Sequence, residues 1–334
     1  MKICQYVQTN QFPRTPRLGI LLGDGETIVD ANWSIACEYE REGYLNPHAR
    51  ANHKLPSSLF LILNHFDNPI ETIEEGYATY LFLQKLGIDR MQDGTPISFS
   101  LNSENCELAN PIDKIGTYRD FYAHEKHVKK GFEKRGEPVP PAWYEMPVYY
   151  KGPTHGFIGP KEEILWPSYS DKLDYELELA VVLGRDGKNL KPHQALENIF
   201  GYTILNDVSA RDIQKKEMSV RLGPSKGKDF CSVLGPVIVT ADEFYFEEPN
   251  LLMTASINGK EWSRGHSGDS QFSFAEMIVQ ASKEEWLQAG DVIGSGTVGT
   301  GCGLELDKWI KPGDEIDLYV ENIGHLVNKV GQRK

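Results

Sequence analysis

The sequence predicts a β-rich α+β protein of 334 residues, and three observations carry that expectation. From Tyr149 onward, short runs rich in Val, Ile, Leu and Tyr follow one another between turn residues, as strands do. Helical patterns interrupt those runs only twice, so strands and helices do not alternate as a doubly wound parallel sheet requires. Before about residue 110 the pattern changes, with a hairpin and a helix of its own. The chain is long enough for two units, so a smaller N-terminal module (1–110) and a larger domain (111–334) are expected.

Taken in order, RLGILLGDGETIVDA reads as two short strands around a Gly-Asp-Gly turn. A polar stretch with His48 and His53 follows. ETIEEGYATYLFLQKL then places apolar residues three and four apart, the helical spacing. ANPIDKIG closes the module as a loop. GTYRDFYAHEKHVKKGFEKRG predicts a helix over about 117–134, stopped at Gly136. The proline-rich RGEPVPPAWYEMP cannot be helical throughout and is expected as an exposed connection or flap. Strands then dominate, broken by a helix in SARDIQKKEM and by one starting at Ser273, where SFAE is a capping box. The last segment, DEIDLYVENIGHLVNKV, is a hairpin turning near Ile323 and Gly324.

Composition removes several classes of function. The net charge is −13 with no compensating basic block, which argues against nucleic-acid binding. No apolar run reaches the length of a membrane span, and MKICQYVQTNQF lacks the apolar core of a signal peptide, so a cytoplasmic location away from membranes is expected. The five cysteines are widely spaced and form no CxxC, which reads as buried reduced thiols. GSGTVG (294–299) fits GxGxxG, but no helix pattern follows to receive a pyrophosphate, so it is read as a tight loop.

What remains is a pattern of acids. In KLDYELELAVVLG (172–184), Tyr175, Leu177, Leu179, Val181 and Leu183 share one strand face, and Asp174, Glu176 and Glu178 share the other. Either that face is wet, or a cation holds the acids. Asp207 stands where a strand ends and a helix begins, with Arg211 and Gln214 four and seven residues on. The plain alternative is that Asp207 caps the helix and pairs with Arg211. On the helix predicted around residue 120, Asp120 and His127 would share a face about 10 Å apart along the axis. His124, one turn from Asp120, rivals His127 as the functional histidine. Glu305 follows a glycine-rich loop between Leu304 and Leu306, either partly desolvated or on a solvent-facing strand.

Over about 115–330 the chain resembles the fumarylacetoacetate hydrolase (FAH) family. The motifs that carry the resemblance are DFYAHEKH, DYELELAVVLG, LNDVSARDIQ, LGPSKGKDF and KPGDEIDLYVENIGHLVNKV. It implies an FAH-type mixed β-sandwich roll. It implies that Asp120, Glu176, Glu178 and Asp207 hold a divalent cation, Mg²⁺ first, with Mn²⁺ or Ca²⁺ as alternatives. It further implies that His127 and Glu305 activate water, that Arg211, Gln214 and Lys228 stand near the cation and developing oxyanion, and that Tyr122, Tyr150 and Thr297 touch substrate. Asp174 is no ligand in that scheme, which leaves it a solvent-facing or supporting role. Arg135 is an approximate counterpart, one position off, of an arginine that clamps substrate. Met218 stands where the name-giving enzymes have a tyrosine, and Cys231 and Ser232 replace a glycine and a threonine. The implied partner is a small 2-oxo or 1,3-dicarbonyl acid, and the implied assembly is a homodimer with a flap from 121–145. The expected activity is hydrolytic cleavage of a carbon–carbon bond in an acylpyruvate or fumarylacetoacetate-like acid. The alternatives at the same metal site are a 2-keto-3-deoxy sugar acid dehydratase, a 2-oxo acid decarboxylase and an isomerase.

Overall fold

In the computed structural model, which describes residues 1–334 apart from 11, 104 and 334, a twelve-stranded sheet runs through the molecule. Its central strands, in hydrogen-bonded order, are Lys2–Gln8, Ser232–Thr240, Ile199–Asn206, Leu177–Leu183, Val292–Gly294, Tyr118–Phe121 and Tyr149–Gly152. These pairings are antiparallel except that of Val292–Gly294 with Tyr118–Phe121. A five-stranded sheet carries the C-terminal hairpin Glu315–Val320 and Gly324–Val330, as expected. The mixed β-rich architecture predicted from the sequence is the one observed.

Every residue of Leu177–Leu183, Ile199–Asn206 and Ser232–Thr240 is buried, because both faces of the large sheet are covered. Leu177, Leu179, Val181 and Leu183 pack in one core with Met253, Ala255, Ile316, Leu318 and Leu326 of the five-stranded sheet. Ala180 and Val182, on the opposite face, pack in a second core with Ile35, Leu59 and Ile62 from the N-terminal helices. The face that begins with three acids therefore continues as an apolar floor for those helices. Strand Lys2–Gln8 pairs with Ser232–Thr240, so the sheet is continuous across residue 110.

The N-terminal hairpin forms from Arg17–Leu21 and Thr27–Val29, and the predicted helix is Pro69–Lys85. The polar stretch before it holds the helices Ala31–Arg41, Pro47–Lys54 and Leu59–His65. The capping box at Ser273 opens Phe274–Ser282. One prediction fails. The helix expected over 117–134 is a strand, Tyr118–Phe121, followed by a shorter helix, Glu125–Arg135. The aromatic residues of TYRDFY favour a pleated, buried surface, and parallel pairing with Val292–Gly294 selects it. The proline-rich connection contains one helical turn, Ala142–Glu145, whose Trp143 is buried and donates its indole N–H to the carbonyl of Tyr122 at 2.7 Å.

Candidate active site

Side-chain alternation puts Asp174, Glu176 and Glu178 on one side of the chain, and all three are buried. The wet-face reading is therefore excluded. Glu178 lies between two strands that each bring a further acid. Asp120 comes from Tyr118–Phe121, across Val292–Gly294, and Asp207 follows Ile199–Asn206 on the other side. One oxygen from each of Asp120, Glu178 and Asp207 lies within 4.8 Å of the others.

Glycine makes this convergence possible. A Cβ at Gly294 would fall 2.4 Å from Asp120 Oδ1 and 3.0 Å from Glu178 Oε2. Gly296 adopts φ 78°, and a Cβ there would fall 2.3 Å from the carbonyl oxygen of Phe121. The GSGTVG loop thus brings backbone against the acids. The Gly296 N–H donates to Glu178 Oε2 at 3.1 Å, and the Thr297 hydroxyl donates to Glu178 Oε1 at 3.3 Å.

Burial, reinforced by the Asp207 charge, pushes the Asp120 carboxyl well above the usual range. Burial, then Asp120 and Asp207, does the same to Glu178. Asp120 Oδ1 is buried and has no hydrogen-bond partner. Three oxygen donors, mutually repelling and one unsatisfied, fit a hard divalent cation and no softer metal preference.

Glu176, the expected fourth ligand, stands beside this trio. It accepts from Arg211 Nη2 at 2.7 Å and from Lys228 Nζ. Burial raises its pKa, but Arg211 and Lys228 outweigh burial and hold it well below the usual range. Lys228 also donates to Asp207 Oδ2, at 2.5 Å, and these acids keep it charged despite burial. The Tyr150 hydroxyl donates to the same Asp207 oxygen at 2.7 Å.

Arg211 does not pair with Asp207. Its Nε donates to Asp174 Oδ2 at 2.8 Å and its Nη1 to Gln214 Oε1 at 2.9 Å. Asp174 also accepts from the backbone N–H of Gly303 and Leu304, at 2.7 and 2.9 Å. It is fully enclosed rather than solvent-facing, and it ties Arg211 to the short helix Gly303–Leu306.

That helix carries Glu305, which is therefore on a helical turn and not on a strand. Glu305 Oε1 lies 2.7 Å from His127 Nδ1, and the Thr300 N–H donates to Oε2 at 2.9 Å. With Nδ1 engaged by Glu305, Nε2 is the ring nitrogen able to exchange a proton. The two halves of the site adjoin through a backbone bridge between Glu176 and Cys302. His124 sits at the N-cap of the His127 helix, outside the acid trio. Its ring is buried, and burial lowers its pKa to about 4.

Of the expected substrate contacts, Tyr150 and Thr297 touch the trio, and Tyr122 packs edge-on against His127 at 5.3 Å between ring centres. Arg135 stands farther out, half exposed and stacked on Phe132 at 4.1 Å. Sequence reasoning set Cys302 aside as a buried thiol without an adjacent histidine, yet its Sγ lies 3.6 Å from Glu305 Oε1 and 3.9 Å from His127 Nδ1. No local pattern could place that thiol beside a histidine 175 residues away.

Residues 116–331 match the family model described as fumarylacetoacetate (FAA) hydrolase C-terminal. The chain belongs to the fumarylacetoacetate hydrolase family. Within this family it is 35% identical over 243 residues to the oxaloacetate tautomerase YisK of Bacillus subtilis (strain 168), covering 70% of this chain and 76% of that protein. It is 32% identical over 319 residues to the mitochondrial oxaloacetate tautomerase FAHD2A of Bos taurus, covering 94% and 87%. The structure of the fumarylacetoacetate hydrolase from Exiguobacterium antarcticum aligns over 99% of this chain and 100% of that one, with a TM-score of 0.68 and 25% identity. The fumarylacetoacetate hydrolase family thus joins tautomerases and hydrolases, and membership places this chain among its enzymes without choosing the bond that reacts. No helix among the described residues is long and apolar enough to cross a membrane.

Proposed function

We propose that this protein is a divalent-cation-dependent tautomerase of a 2-oxo dicarboxylic acid of the oxaloacetate kind. The observation that carries the reading is the buried trio Asp120, Glu178 and Asp207, converging within 4.8 Å beside the His127–Glu305 pair. Two relatives above 30% identity are named oxaloacetate tautomerases, which supports this reaction over bond cleavage. A hard cation held by the trio would polarise the substrate carbonyl and stabilise enolate charge.

The chain's own groups do the rest. Lys228 and Tyr150 fix Asp207, and the Lys228 ammonium offsets part of the trio's negative charge. In the ketonising direction His127 Nε2 takes the enol hydroxyl proton and delivers a proton to the neighbouring carbon, and the reverse direction runs the same transfers backward. Glu305 on Nδ1 holds the ring's tautomer and balances the imidazolium while it carries the extra proton. Burial of both groups keeps bulk water from competing for that proton.

The second reading is carbon–carbon hydrolysis of a β-diketone acid, supported by the same histidine–glutamate pair, which is equally able to deprotonate water. The two are separated with Mg²⁺-loaded protein. Enol-oxaloacetate is followed by the loss of its ultraviolet absorbance, and an acylpyruvate by the release of two acids. The tautomerase reading expects accelerated loss of the enol and no cleavage. Release of pyruvate and a second acid, with enol decay unchanged, overturns it.

A further inference from the structure

The neighbourhood of His127 contains a second set of donors of a different kind. Cys302 Sγ lies 3.6 Å from Glu305 Oε1 and 3.9 Å from His127 Nδ1, and those two atoms are 2.7 Å apart. One nitrogen, one sulfur and one oxygen thus fall within 4.8 Å of one another. The acid trio offers oxygen alone. We propose that His127, Cys302 and Glu305 form a separate metal site, suited to a soft or borderline ion such as Zn²⁺, whose occupation switches the enzyme off.

The geometry is close to what the ion needs. Zinc–nitrogen and zinc–oxygen bonds of about 2.0–2.1 Å and a zinc–sulfur bond of about 2.3 Å set tetrahedral edges of roughly 3.3–3.6 Å. The two sulfur distances lie at or just above that range, and only the His127–Glu305 contact must open, by about 0.6 Å. The fourth position falls to water. A thiolate and a carboxylate neutralise the ion's charge, while the thiol proton leaves to solvent.

Inhibition follows from the tautomer. With Nδ1 on the metal, the one proton of the neutral ring resides on Nε2, and His127 has no lone pair with which to take a proton from substrate. Glu305, drawn to the metal, no longer supports an imidazolium. The inhibitory half of this inference rests on His127 being the base in the proposed reaction; the binding half does not.

The test uses Co²⁺ as a spectroscopic probe of the full-length protein. Cobalt at the oxygen-only trio gives no sulfur band, whereas cobalt bound to Cys302 gives a near-ultraviolet thiolate-to-metal charge-transfer band. The band is expected in the wild type and in Asp120→Asn, and absent in Cys302→Ser. Against each variant's own uninhibited rate, with Mg²⁺ saturating, the Zn²⁺ concentration for half-inhibition is expected to rise roughly tenfold or more in Cys302→Ser. Cys302→Ala replaces it where serine prevents folding. Absence of the band from the wild type overturns the metal site. A band without any effect of Cys302 on zinc inhibition overturns the switch. A band and a Cys302-dependent loss of enol-decay activity support both, whichever reaction the enzyme proves to catalyse on acylpyruvates.

Discussion

Asp120 and Glu178 lie on strands of one buried sheet and Asp207 directly follows a third, whereas His127 and Glu305 are carried by the helices Glu125–Arg135 and Gly303–Leu306. The strand-borne acids are crowded, and Asp120 Oδ1 has no partner. The helix-borne pair is satisfied: His127 bonds Glu305, which also accepts from the Thr300 amide. The contrast teaches how to recognise a cation site. A residue set built for stability pairs its charges, as Asp174 and Arg211 do. A set that keeps like charges together in a dry interior stays in conflict until a cation arrives.

The strongest way to break the comparison is to remove one acid of the trio. Asp120→Asn or Glu178→Gln should lower turnover by about 10³-fold or more, because cation polarisation supplies several kcal/mol of transition-state stabilisation. The same variants should leave the melting temperature of the chelator-treated protein equal or higher, since they remove like-charge repulsion. Scanning calorimetry beside steady-state rates checks both, and a lower melting temperature would mean that the acids are structural.

Next in size, His127→Ala should lower kcat by about 10²–10⁴-fold, the usual span for a positioned base, while Mg²⁺ binding measured by titration calorimetry stays within twofold or so of wild type. Joint loss of turnover and cation affinity would join the two halves into one unit and remove the contrast.

The acids themselves were legible in the sequence, because strand alternation places Glu176 and Glu178 on one face and the motifs DFYAHEKH and LNDVSARDIQ carry Asp120 and Asp207. Their partners were less so. The strand at Tyr118–Phe121 was hidden because its helical reading rested on local spacing, while parallel pairing with a segment some 170 residues away decided the matter. Asp174 could not be separated from its two neighbours by any local pattern, since its role depends on the amides of Gly303 and Leu304 and on Arg211. The burial of the acid face was likewise invisible, because it depends on Arg211, Lys228, Tyr150 and the loop holding Gly296 and Thr297, which reach the acids from distant parts of the chain.

A pH experiment sharpens the comparison more gently. Asp120 and Glu178 have carboxyl pKa values raised in the folded, cation-free protein. Groups raised in this way contribute stability that is fully present below their unfolded pKa and is lost as pH rises from there through the folded pKa. The cation-free protein should therefore melt lower as pH increases from mildly acid to alkaline, while Mg²⁺, which binds the deprotonated acids, gives a growing increment of melting temperature. A cation increment independent of pH would contradict the raised values.

The smallest effect belongs to His124. Burial lowers its pKa to about 4 from 6.5, with His127, Asp269, Glu305 and Lys126 as the charged neighbours. Because the unfolded chain takes up the proton first, this residue's contribution is complete above pH 6.5 and lost as pH falls toward 4. His124→Gln should flatten that part of the melting-temperature profile and leave the region above neutrality unchanged. An identical acid profile in the variant would assign the loss to other groups.

The central claim is tested most directly by an anomalous-scattering map from crystals of this protein soaked in Mn²⁺. The account predicts a peak enclosed by Asp120, Glu178 and Asp207, with Glu176 still turned toward Arg211 and Lys228. A peak bound by other side chains, or none at a concentration that supports turnover, would contradict it.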